Sequence, residues 1–186
     1  MPKAFTKIVV GAPVAFMLLI AGINYLNLQR VVGQVEDGDS RNNGIEVFAH
    51  YKYFINPDVL VYDLRNVAGT SSPVDVTRVL LQFAEQQKEK QFANVELTFK
   101  GEDKFVMDGD YFRKLGQEYS IQNPAYTLRT LPQNLFRPDG SRAYGEWSGG
   151  VLGVLTRQME DFASWHRAWY IDDLAANVKG GAVHAD

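Results

Sequence analysis

The chain has 186 residues, 46% hydrophobic and 12% aromatic, with a formal net charge of −3. That size and composition give one domain a proper core, and no basic face is evident for nucleic acid to bind. Zero cysteines exclude disulfides, thiol catalysis and cysteine-ligated zinc. The three histidines, His50, His166 and His184, are too scattered for a local metal motif, so no metal or cofactor is expected.

Residues 7–30, KIVVGAPVAFMLLIAGINYLNLQR, are bounded by a lysine and an arginine and carry no charge between them. Ile8 to Gln29 is read as a transmembrane helix, since about 20 residues cross a hydrocarbon core roughly 30 Å thick. Gly11 and Pro13 are tolerated in such a helix, and Tyr25 suits the interfacial belt. Lys3 and Lys7 make the charge before the span more positive than after it. The expectation is a single-pass protein of a bacterial inner membrane, with residues 1–7 cytoplasmic and the remainder periplasmic or extracellular. The rival is a signal peptide cut near Ile20-Ala21-Gly22. The apolar run exceeds the usual signal core of about 7–15 residues, which favours retention as an uncleaved anchor.

Residues 30–44 are polar and turn-rich and read as a linker between span and domain. The domain is expected over 45–174. Strands are predicted at 47–55 and 59–64, the second buried on both faces. A helix follows, with Ser72 as cap, Pro73 at its first position and Asp75 closing a capping box. VELTF (95–99) and KFVM (104–107) read as a hairpin, and 108–119 as a short helix capped by Asp108 or Asp110. YTLRTL (126–131) and RAYGEW (142–147) read as two further strands about the turn at 138–140. From Gly150 to Leu174 the chain reads as one helix, with an apolar stripe of Leu152, Leu155, Met159, Phe162, His166 and Trp169. Residues 175–186 read as a frayed tail. The fold class is therefore α/β or α+β: a single domain with a mixed sheet and about three helices, preceded by a transmembrane helix.

Two strand-to-helix junctions are candidate ligand sites, Arg65–Ser72 and Asp108–Asp110. If their strands run parallel, both lie at one sheet edge, where open α/β sheets bind ligands. Thr70, Ser71 and Ser72 supply hydroxyls beside a helix start, with Arg65 near; Asp63, Asp108 and Asp110 supply oxygens for a hard cation. Capping and turn chemistry alone also explains every one of these residues. GEWSGG (145–150) has one residue too many between glycine and serine for a hydrolase elbow, and no phosphate-binding glycine loop follows the first buried strand.

Trp165, His166, Trp169 and Tyr170 crowd one short stretch beside Arg167. Two readings stand for them: core packing, or a surface for a partner protein or the membrane interface. A straight helix does not point all three large rings one way. The functional expectation is a membrane-anchored, non-catalytic envelope protein. Its partners are the bilayer, through 8–29, and a membrane or periplasmic protein complex. The alternatives are an anchored hydrolase or metal-dependent enzyme using the two junctions, and a periplasmic small-ligand-binding protein after signal cleavage.

Overall fold

The computed structural model describes residues 15–182, with side chains through Asn177. The expected cytoplasmic segment, the first part of the span with Gly11 and Pro13, and residues 183–186 with His184 lie outside the described residues.

Helix α1 runs from Ala15 to Gly38 and is long and apolar enough to cross a membrane. It contains a π turn at Tyr25–Gln29. Its two halves live in different surroundings. Phe16, Met17, Leu18 and Leu19 are exposed, whereas Asn24, Leu28, Val32 and Val35 are buried against the domain. Residues 30–44 are therefore not a linker: Arg30–Gly38 is helical, and Ser40–Asn42 is a 3-10 turn. Leu28, Val32 and Val35 repeat at helical spacing, and burying that stripe outweighs the local weakness of Gly33. Asn42 locks the turn in place by donating to the Val35 carbonyl and to Gln82, both at 2.7 Å.

Five strands follow: β1 (Ile45–Lys52), β2 (Asn56–Val67), β3 (Asn94–Phe99), β4 (Glu102–Asp108) and β5 (Leu135–Phe136). They lie side by side in chain order. Only β2 and β3 are parallel. Helix α2 (Pro73–Gln86) makes their crossover, as a parallel pair requires. One sheet face is fully buried through Val47, Ala49 and Tyr51 of β1, Leu60, Tyr62 and Leu64 of β2, Val95, Leu97 and Phe99 of β3, and Phe105 and Met107 of β4. Phe48, His50, Glu96, Val106 and Phe136 alternate with these residues and are half-buried.

Helix α3 (Gly109–Glu118) packs on α2. Helix α4 (Pro124–Thr130) replaces the strand expected at 126–131. The cause is local: Asn123 accepts from the Ala125 amide at 2.9 Å, and Pro124 sits at the first helical position. RAYGEW is not a strand either; it makes a single bridge, Phe136 to Arg142. Helix α5 comprises Val151–His166, a π turn at Arg167–Ile171, and Asp172–Ala182. The tail expected from residue 175 thus begins as helix. The result is an α+β domain with a mixed sheet and five helices, α1 and four others, where the expectation was one apolar helix and about three others.

Candidate functional site

The two candidate junctions fall at opposite ends of the sheet. Val59 pairs with Asn94, and Asn94 with Asp108, so Asp108 stands level with the start of β2. Ser72 lies beyond the other end, past Val67. A strand rises roughly 25 Å between those levels. Because β4 runs antiparallel to β2, the condition for a shared edge fails.

Most candidate residues there have a structural task. Ser72 and Asp75 form the predicted capping box, with the Ser72 amide donating to the Asp75 carboxylate at 2.8 Å. Those bonds from Ser72, with the Arg78 ion pair at 2.6 Å, hold the Asp75 carboxyl down at about 2. Thr70 is exposed, and Ser71 closes a turn by donating its amide to Ala68 at 2.9 Å. Asp108 caps α3 by accepting from the amides of Asp110 and Tyr111 at 2.9 and 3.2 Å. Asp110 is exposed and pairs with Arg113 at 2.8 Å.

Asp63 belongs to neither junction. It sits within β2, buried, accepting from the Gly101 amide at 3.0 Å and pairing with Arg65 at 2.6 Å. It thereby fastens the β3–β4 turn, where Lys100 and Gly101 both take positive φ, to the sheet. Arg65 lies in turn over the Phe48 ring, 5.4 Å from its centroid. Among the described residues, no group of three or more acidic or histidine side chains is placed to hold a metal.

Trp165, His166, Trp169 and Tyr170 are all buried, so none offers a surface to a partner. The π turn explains how adjacent rings share one side. It inserts an extra residue into the turn and rotates the following face inward. The Trp165 and Trp169 rings stack 5.4 Å apart, and the Trp169 indole donates to the Thr98 carbonyl at 3.0 Å. His166 lies against Trp165 and Phe162, at 4.3 and 4.6 Å between centroids. Its Nε2 is 2.9 Å from the Thr77 hydroxyl, which itself donates to the Pro73 carbonyl at 3.0 Å. The hydroxyl proton is thus committed, so Nε2–H is the donor to Thr77. Burial pushes the histidine down to about 3, as a cation there would lose its hydration.

The polar residues that sequence reasoning passed over lie on α1. Strand β1 is an edge strand, and its outward backbone groups need partners. Asn24 accepts from the Tyr51 amide at 2.8 Å and donates to the Phe54 carbonyl at 2.7 Å. Gln29 accepts from the Ala49 amide at 3.1 Å and donates to the Val47 carbonyl at 3.2 Å. Glu36 accepts from the Val47 amide at 2.9 Å. Side chains of a helix thus take the place of a neighbouring strand. The available signal was Asn24 and Gln29, which with Asn27 are the amides at the end of an apolar run.

No protein-family model, curated protein or solved structure matches this chain.

Proposed function

We propose that this chain is a single-pass membrane protein whose α+β domain is held directly on the bilayer surface, where it docks onto a membrane or envelope protein rather than catalysing a reaction. The observation that carries this reading is the division of α1. Its exposed apolar half continues, with no flexible break, into a half that is built into the core. A helix shaped this way sets the position of the domain relative to whatever holds its apolar half. A bilayer is the medium that suits Phe16 to Leu19. The charge distribution favours a cytoplasmic N-terminus and a periplasmic domain in a bacterial inner membrane.

The start of α5 supports the docking part. Val151, Leu152 and Met159 are 75%, 81% and 50% exposed, although they belong to the apolar face that Phe162 and Trp169 bury further on. Trp147 packs on the Arg157–Asp161 side of α5, its indole donating to Asp161 at 2.6 Å and Arg157 covering its ring. Exposed apolar groups gathered on one helix end are a recognised mark of protein contact. The test is a photo-crosslinking residue at Leu152 of the full-length chain in native membranes. The expected result is one reproducible crosslinked membrane or envelope protein, recovered with the membrane fraction. Recovery of the intact chain from the soluble fraction, or a monomer that hydrolyses a generic ester, overturns the reading.

A further inference from the structure

The turn between β1 and β2 is Tyr53-Phe54-Ile55; Tyr53 and Ile55 are turned outward, 74% and 64% exposed, while Phe54, 45% exposed, stacks its ring on His50 with centroids 4.5 Å apart. Tyr53 and Phe54 adopt φ of 54° and 65°. Bulky residues rarely accept that left-handed conformation, and each such residue costs of order 1 kcal/mol or more. Glycine or asparagine would relieve the strain while removing the rings. The sequence instead keeps two aromatic residues and an isoleucine at a strained, solvent-facing tip.

The position of the tip says what it meets. Asn24 donates to the Phe54 carbonyl at 2.7 Å and to the Ile20 carbonyl at 2.9 Å. The tip therefore stands level with Ile20 to Asn24 of α1, one turn from the exposed run Phe16–Leu19 and beside exposed Ile23. The apolar surface of the helix and that of the turn are at one height. Asn24 also receives the Tyr51 amide, so its polar atoms are covered by the same hairpin. An asparagine with its hydrogen bonds satisfied is tolerable near the hydrocarbon boundary. At the base of the turn, Lys52 pairs with Glu96 and places its ammonium 5.6 Å from the centre of the Tyr53 ring. An aromatic tip above an ion-paired lysine matches the layering of an interface, with apolar groups among the acyl chains and polar groups among the headgroups.

We propose that Tyr53, Phe54 and Ile55 form a second membrane contact, inserted at the boundary between headgroups and acyl chains beside the end of the span. This rests on the reading of α1 as a membrane anchor. With both contacts in place, the domain cannot rotate freely about the helix axis, and the bilayer always meets the same end of the sheet.

The absence of native cysteine allows single-site spin labelling. The full-length chain is reconstituted in phosphatidylcholine–phosphatidylglycerol vesicles, with one label in turn at Tyr53→Cys, Ile55→Cys, Leu18→Cys and Lys100→Cys. Collision rates with oxygen, which concentrates in lipid, and with a water-soluble nickel chelate give the depth of each site. The expected result places labels 53 and 55 at interfacial depth, several-fold less accessible to nickel than label 100, with label 18 deeper still. Label 18 in lipid with labels 53 and 55 as nickel-accessible as label 100 overturns the tip contact and leaves the anchor standing. Label 18 in water overturns both. Urea unfolding of each labelled chain verifies that it is folded.

Discussion

His166 shows how much one buried polar residue controls. Its Nε2–H is satisfied by Thr77, but Nδ1 has no hydrogen-bond partner within the protein. The folded ring resists protonation until about pH 3, whereas an unfolded histidine takes a proton near 6.5. The unfolded state therefore binds the extra proton first, and the contribution of neutral His166 is complete above about pH 7. It declines as pH falls below about 6.5, at up to about 1.4 kcal/mol per pH unit. Asp75 also shifts downward, from a lower reference. Its stabilisation is present above about pH 4 and fades only as pH drops toward 2. Urea midpoints from pH 7 to 5 isolate the histidine, and His166→Gln should flatten that slope. An equal slope in the variant would assign the effect to another group. Backbone approach is just as strict at Gly109 and Gly116. A Cβ at these positions would lie 1.8 Å from the Phe92 carbonyl oxygen and 2.2 Å from that of Ala84. Each atom met is backbone, so neither contact can relax by a rotamer change. Gly116→Ala should cost several kcal/mol, on the order of an overpacked core, and would be read as a large fall in urea midpoint.

At the scale of elements, the association of α1 with β1 carries the most consequence. Asn24, Gln29 and Glu36 satisfy the exposed edge of β1 through four hydrogen bonds, and Asn24 adds a fifth to the turn that follows. Removing the Gln29 side chain leaves an amide and a carbonyl of β1 without partners. Gln29→Ala should cost about 1–3 kcal/mol and speed hydrogen exchange at the Ala49 amide, with little change at Leu97 in the sheet centre. Unchanged exchange at Ala49 would mean that solvent replaces the bond freely. Glu36 is a contrasting case. Burial raises its carboxyl pKa despite the bond from Val47, so its charge is unfavourable where it stands. Glu36→Gln keeps an acceptor and sheds the charge, and it should leave stability at pH 7 unchanged or higher, while Glu36→Ala should lower it. The same element marks the limit of what the sequence revealed. Strands β1 to β4, the capped starts of α2 and α3, and the long final helix were legible, because periodicity and caps are local signals. Residues 30–38 read as a linker because glycine and charge dominate a short window, and the partners of Val32 and Val35 lie elsewhere in the chain. Helix α4 was hidden by its β-compatible residues, with Asn123-Pro124 the overlooked cue. The two junctions had suitable residues, but strand direction, which decides whether they meet, is written only in long-range pairing.

For the whole molecule, the docked half of α1 alters what the domain is. A globule on a flexible tether would fold equally well without it. Here Leu28, Val32 and Val35 are nearly inaccessible parts of the core, and burying residues of this size contributes about 1.5–3 kcal/mol each. The sum is comparable with the entire stability of an ordinary domain, about 5–15 kcal/mol. Removing the segment also bares β1 as an edge strand, with its outward amides free to pair with another copy. A chain starting at Asn43 should therefore fail to fold or should aggregate, while one starting at Gly22 should unfold cooperatively in urea and remain monomeric. Circular dichroism and sedimentation of the two chains make the comparison without any membrane. Equal midpoints for both would reduce α1 to a passive tether. A large difference would mean that α1 and the sheet form one cooperative unit. In that unit, force or displacement applied to the exposed apolar end of α1 acts on the edge of the sheet itself, with no slack between them.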